Sequence, residues 1–195
     1  MAGRRRSRAQ GAEGSGEGGG ESAPRPPADP EAAAREVCLR LLTLSPKTRS
    51  QLAEALARKG IPDEVSERVL GRFTEVGLID DEAFAQAWVR SRHTGKGLAP
   101  RALSAELRRR GVADETIKEA VAELQPEDLQ EAARALVSRK LHATRSLDHD
   151  RRVRRLVGML ARKGYSPGLA YSVVKDVLND SSDTEAFADD DFPDG

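Results

Sequence analysis

Cysteine, aromatic residues and long apolar runs are all scarce in this chain. Cys38 is the only cysteine among 195 residues. No disulfide framework can form within the chain, and a reducing compartment is the simple reading. Its setting in the apolar run CLRLL marks Cys38 as a small packed hydrophobe rather than a nucleophile. Aromatics make up 4% of the chain, which argues against recognition of nucleic acid by stacked bases. No apolar run approaches the ~18 residues of a membrane span. Arg4, Arg5, Arg6 and Arg8 lead into Gly and Glu rather than an apolar stretch, so they open no secretory signal. The expectation is a cytoplasmic protein without a membrane partner.

Catalytic signatures are missing as well. An enzyme needs a nucleophile, a tuned acid–base group or a metal site. His93, His142 and His149 are the only histidines, and Cys38 is remote from them in sequence. No HExxH, CxxC, P-loop or GxSxG pattern occurs. Gly95-Lys96-Gly97 reads as a helix connection, because the rest of a phosphate loop is absent. Asp80-Asp81-Glu82 stands at a helix start, where carboxylates cap free N–H groups; capping is favoured over metal binding. No catalytic residue, metal or cofactor is expected.

Charge is abundant, at 33% of residues, and unevenly placed. The first thirty residues hold five basic and four acidic groups amid Gly and Pro, and the last seventeen hold seven acids and no base. Both segments, 1–29 and 179–195, lack the apolar content to offset their ordering entropy and read as disordered tails. Without those two ends, residues 31–178 carry 27 basic and 21 acidic groups, a net of +6 behind an overall formal charge of +0. A body with that excess suits nucleic acid or an anionic protein–DNA complex.

Three segments of the body repeat: RSQLAEALARKGIPDEVSERVL from Arg49, RALSAELRRRGVADETIKEAV from Arg101 and VRRLVGMLARKGYSPGLAYSVV from Val153. Gly60, Gly111 and Gly164 anchor them. A leucine lies four before each glycine (Leu56, Leu107, Leu160) and another eight before (Leu52, Leu103, Leu156). Leucines four apart share one helical face and point at a core. A glycine after the last turn supplies the left-handed cap. The basic pair before each glycine has two readings, complementing the helix dipole or contacting DNA. Thr48 with Gln51 forms a capping-box pattern. Pro62, Pro100 and Pro167 suit first turns and Ser166 suits an N-cap.

An amphipathic segment precedes each pair of helices: Pro30–Leu44, Asp80–His93 and Pro126–Lys140. Phe84, Trp88 and Val89 of the second stand at helical spacing, and Trp88 reads as core. The expected fold is all-α, without sheet. Three tandem three-helix repeats, over residues 30–79, 80–125 and 126–178, form an elongated, curved molecule with a tail at each end. The candidate interaction residues are the clustered cations of the second and third repeats: Arg90, Arg92, Lys96, Arg101 and Arg108, then Arg151, Arg152, Arg154 and Arg155. Ordinary solvated helix faces are the competing reading of these clusters.

The stretch Gly77–Val112 carries a resemblance to a known family. Gly77-Leu78-Ile79-Asp80-Asp81, Phe84-Ala85, Ser91-Arg92, Gly95 to Gly97 and Leu103 to Val112 follow the pattern of the RecX family of recombination regulators. The flanking repeats extend the likeness over about residues 31–178. Thr94-Gly95-Lys96-Gly97 departs from it, since the family often has an aromatic followed by Gly in that turn. The resemblance implies tandem three-helix repeats and no enzymatic activity. It also implies binding to RecA in the groove of its filament on single-stranded DNA, with inhibition of ATPase, strand exchange and coprotease activities. The implied partners are the RecA filament and, through the basic surface, single- or double-stranded DNA; a monomer is expected. The alternative from the residues themselves is a transcription regulator, because Arg49–Asp80 looks like one helix-turn-helix unit.

Overall fold

The computed structural model describes residues 29–189, with side chains through Ser181. The basic arm of Arg4, Arg5, Arg6 and Arg8 and the acids Asp190, Asp191 and Asp194 lie outside the described residues. Among the described residues there are nine α-helices and no strand: α1 Pro30–Leu44, α2 Arg49–Arg58, α3 Asp63–Glu75, α4 Asp81–Lys96, α5 Pro100–Arg108, α6 Asp114–Ala122, α7 Pro126–Leu141, α8 His149–Arg162 and α9 Pro167–Asp189. A short 3-10 turn, His142–Thr144, follows α7.

The helices associate in threes. Within the first group α1, α2 and α3 pack on one another; α4 with α5 and α6, and α7 with α8 and α9, do the same. Each group has its own core. The first buries Leu52, Leu56, Leu70 and Phe73, together with Cys38. The second buries Val89, Leu103, Leu107 and Ile117. The third buries Val137, Leu156, Leu160, Val173 and Val174. Three small cores in series, each closed mainly by its own helices, make an elongated repeat structure rather than one globule.

Local chemistry sets the helix ends. Thr48 accepts from the Gln51 N–H while Gln51 reaches back to the Thr48 N–H, so the capping box forms. Asp80 accepts from the Ala83 N–H at 2.8 Å and Asp148 from the Arg151 N–H at 3.0 Å. Pro100 and Pro167 open α5 and α9, whereas Pro62 is the N-cap residue of α3, one place earlier than a first-turn position. Gly60, Gly111 and Gly164 take φ of 71°, 73° and 91°, the left-handed region that glycine enters freely.

Two sequence expectations meet differences. The Gly95–Gly97 connection is mostly helix: α4 runs through Gly95 and Lys96 and stops at left-handed Gly97. The boundary placed at residue 178 falls inside α9, whose backbone stays helical to Asp189. No Gly or Pro interrupts the chain between Gly168 and Pro193, so nothing in the sequence stops the helix there.

Candidate interaction surface at the repeat junctions

Consecutive repeats meet through a shared device. At the first junction the Thr48 hydroxyl, at the start of α2, donates to the carbonyl of Arg110 at 2.6 Å. At the second, the N–H of Ala99, at the start of α5, donates to the carbonyl of Lys163 at 2.9 Å. In both cases the N-cap residue of one repeat's second helix binds the residue just before the next repeat's glycine. The glycines themselves are the closest points. A Cβ on Gly111 would overlap the Ser50 side chain, and one on Gly164 would collide with the backbone nitrogen of Ala102. So Gly111 and Gly164 are required twice, for their positive φ and for the close approach of a neighbouring helix.

This contact gathers cations. The Arg109-Arg110 turn lies against Thr48 to Ser50, beside Lys47 and Arg49. The Arg162-Lys163 turn lies against Ala99 to Ala102, beside Lys96 and Arg101. Lys163 Nζ also donates to the carbonyl of Lys96 at 2.7 Å. Across the described residues positive charge concentrates on the second helix of each repeat and the turn after it. The third helices of the first two repeats begin instead with acid pairs, Asp63-Glu64 in α3 and Asp114-Glu115 in α6.

The nine candidate residues fall into two groups. Some are held by the protein itself. Arg92 pairs with Glu106 at 3.5 Å and is only 28% exposed. Arg108 pairs with Asp114 at 2.7 Å. Arg152 is half-buried and its Nε donates to Thr144 Oγ1 at 3.3 Å. Arg90 stands 3.9 Å from Glu123. Arg151 pairs with Asp148, the N-cap of its helix, at 3.2 Å, and Arg154 Nε donates to the Asp150 carbonyl at 3.2 Å. Exposed pairs of this kind are worth about 1 kcal/mol or less and yield readily to a partner. Lys96, Arg101 and Arg155 are exposed. Lys96 and Arg101 border the second junction, next to Gly97 and Ala102; Arg151, Arg154 and Arg155 lie on the exposed side of α8, away from buried Leu156 and Leu160.

Trp88 departs from its expected core position. It is half-buried at the edge of the second core, stacked with Phe84 at 5.8 Å between ring centroids. The guanidinium carbons of Arg110 and Arg92 lie 3.6 and 4.1 Å from the indole centroid, a cation–π arrangement. The indole N–H donates to Glu106 at 2.9 Å. Glu106 thus serves Trp88 and Arg92 together. Burial pushes the Arg110 guanidinium below the ordinary arginine value, against the pull of Glu106, with Arg92 and Arg109 adding to the drop.

Asp80 caps its own helix as expected, but Asp81 does something else. Its carboxylate accepts the Arg49 N–H at 2.9 Å, so it caps α2 of the preceding repeat. Cys38 is buried, and burial pushes its thiol up, away from thiolate chemistry. Among the described residues no three His, Cys, Asp or Glu side chains are grouped to hold a metal ion. No helix of the described residues is long and apolar enough to cross a membrane.

Comparison with known proteins matches this architecture repeat by repeat. Family models for the first, second and third three-helix domains of RecX match residues 34–73, 80–121 and 127–174. Regulatory protein RecX of Streptomyces coelicolor is 59% identical over 168 residues, covering 86% of this chain and 89% of that protein. Regulatory protein RecX of Thermobifida fusca is 58% identical over 160 residues, covering 82% and 85%. The crystal structure of RecX from Lactobacillus salivarius superposes with a TM-score of 0.73 at 17% identity, over 77% of this chain and 97% of that one. That likeness shows the fold, while the sequence identities show the family. By its three domain matches and its close relatives, the chain belongs to the RecX family of regulatory proteins.

Proposed function

We propose that the chain is a non-catalytic cytoplasmic regulator that binds the RecA filament on single-stranded DNA. Its binding lowers the filament's ATPase, strand-exchange and coprotease activities. The observation that carries this reading is the serial arrangement itself. Three RecX-type repeats are joined so that cations recur along the chain at Lys47, Arg49, Arg109 and Arg110, then at Lys96, Arg101, Arg162 and Lys163. Such a row suits a long anionic filament better than a compact ligand. Lys96, Arg101, Arg151, Arg154 and Arg155 are the members we assign to filament acids or phosphates. Arg92, Arg108 and Arg152 support them by holding the helices.

The helix-turn-helix alternative finds less support. In that reading α3 would enter the major groove, yet α3 carries Asp63, Glu64, Glu67 and Glu75 against Arg68 and Arg72. A recognition helix with an acidic excess repels phosphates.

The test is RecA's single-stranded-DNA-dependent ATPase, titrated with this protein below one molecule per RecA subunit. Binding to naked single strands is measured at the same salt. Inhibition at concentrations too low to coat the DNA is expected. Unchanged ATPase, with duplex binding that depends on base sequence, would move the assignment to a transcription regulator.

A further inference from the structure

The first junction leaves a cleft that the second does not repeat in kind. It lies between the turn after α1 and the outer side of α4 and has a volume of about 560 Å³, within the range of ligand and peptide pockets. Leu42, Leu78, Phe84 and Trp88 form its apolar wall, and the cations Lys47 and Arg110 outnumber the one lining carboxylate, Asp80. Leu78 is 49% exposed, and Leu44, where α1 enters the turn, is 76% exposed. Exposed leucines flanking a concave apolar wall are the usual mark of a contact site.

Among the described residues Lys47 and Arg110 have no carboxylate within ion-pair distance; Arg110 is held instead by the indole and by the Glu106 backbone carbonyl, to which its Nη1 donates at 2.8 Å. Glu106, the nearest acid in the arginine cluster, is already engaged by the Trp88 N–H and by Arg92. The cluster therefore holds two guanidiniums against one carboxylate, in a place where water is partly excluded. A partly desolvated cation without a counter-ion gains from an incoming carboxylate more than an exposed one does.

We infer that this cleft receives a peptide segment of the filament protein in which a bulky apolar side chain lies next to a carboxylate. The apolar side chain seats against Leu42, Leu78 and Phe84, and the carboxylate meets Arg110 and Lys47. The inference rests on the proposed function and gives that function a second contact, chemically distinct from the basic row. DNA is the poorer occupant. Two guanidiniums and Phe84 already lie against the indole, so a stacking base would have to displace one of them. Much of the remaining wall is aliphatic.

The experiment uses the full chain and RecA filaments on a labelled oligonucleotide. Leu78→Ser removes an exposed side chain, and Arg110→Gln removes the cation while leaving the junction carbonyl in place. Each variant is checked for wild-type helix content, and affinity is read by co-sedimentation. A photo-crosslinking residue at position 78 then identifies the covering molecule. Each variant is expected to lose affinity by about tenfold, more than most interface residues lose on truncation. Crosslinks should fall on a protein segment that contains Asp or Glu. If the wild type binds while both variants stay within twofold of it, or if crosslinks fall only on DNA, the cleft assignment is overturned and the proposed function stands. If the wild type does not bind filaments at all, both fall together.

Discussion

The two junctions solve one problem with different parts. At the first, a side-chain hydroxyl, Thr48 Oγ1, reaches the carbonyl before Gly111, and the glycine is crowded by the Ser50 side chain. At the second, main chain meets main chain, Ala99 N–H to the Lys163 carbonyl, and the glycine is crowded by the Ala102 backbone. Ala99 also belongs to the third core although it precedes α5 of the second repeat. The second junction is thus continuous with a core. The first is a contact between surfaces, and the cleft beside it is the one walled by Leu78, Phe84 and Trp88. The same Gly signal in the sequence specifies where repeats touch, and the residues facing it specify how firmly.

The sharpest way to break this comparison is Gly164→Ala. The new Cβ meets backbone that no rotamer change can move, and φ of 91° adds its own strain. The two terms together should cost about 3 kcal/mol in urea unfolding. Gly77→Ala is the control: φ is +73° with open space around it, so strain alone, about 1 kcal/mol, is expected. A result in which the two match would dissolve the claim of close approach at Gly164.

Gly111→Ala should cost nearly as much, about 3 kcal/mol, because the Ser50 Cβ it meets is fixed by the backbone. Pairing it with Ser50→Gly should recover part of the loss, as expected for residues in contact. Additive costs in the double variant would mean that Ser50 is not what the methyl strikes. Thr48→Val comes next. It deletes the bond to the Arg110 carbonyl and the cap on the Gln51 N–H, and about 1–2 kcal/mol should be lost.

The smallest effect belongs to Tyr165, next to Gly164. Its hydroxyl is buried without a hydrogen-bond partner among the described residues, and burial pushes it up to about 12. The folded state therefore holds the proton more tightly than the unfolded state, whose tyrosine titrates near 10. Stability is fully present below pH 10 and falls as pH rises from there toward 12. Tyr165→Phe should be near neutral at pH 7 and should flatten that alkaline loss in a thermal-melt series. An unchanged alkaline slope would exclude Tyr165 as its source.

What the sequence made legible is what depends on near neighbours. Leucines four apart, a glycine after them and a cap before them are local signals, so the helices and the content of each core could be read directly. The junctions could not, because the partner of Arg110 or Lys163 lies in a different repeat, 62 or 64 residues away. The recurring basic pair thus kept two readings, while the decisive atom was the carbonyl of its second member. Trp88 misled for a related reason. Helical spacing places Phe84, Ala85, Trp88 and Val89 on one broad face, but only Ala85 and Val89 reach the centre. Arg92, four residues after Trp88 on the same helix, was the available sign that the indole faces cations. Among the candidate cations the sequence drew no distinction between exposed Lys96, Arg101 and Arg155 and those that the protein itself holds. The engagement of Arg92 by Glu106 needed the fold.

The single tryptophan has an optical consequence. Because Trp88 stands at the first junction and not in the centre of a core, its emission reports the joint between two repeats. Far-ultraviolet dichroism reports helices wherever they are. On heating, the indole signal should therefore move before the helical signal, by the interval over which neighbouring repeats part while each still keeps its own core.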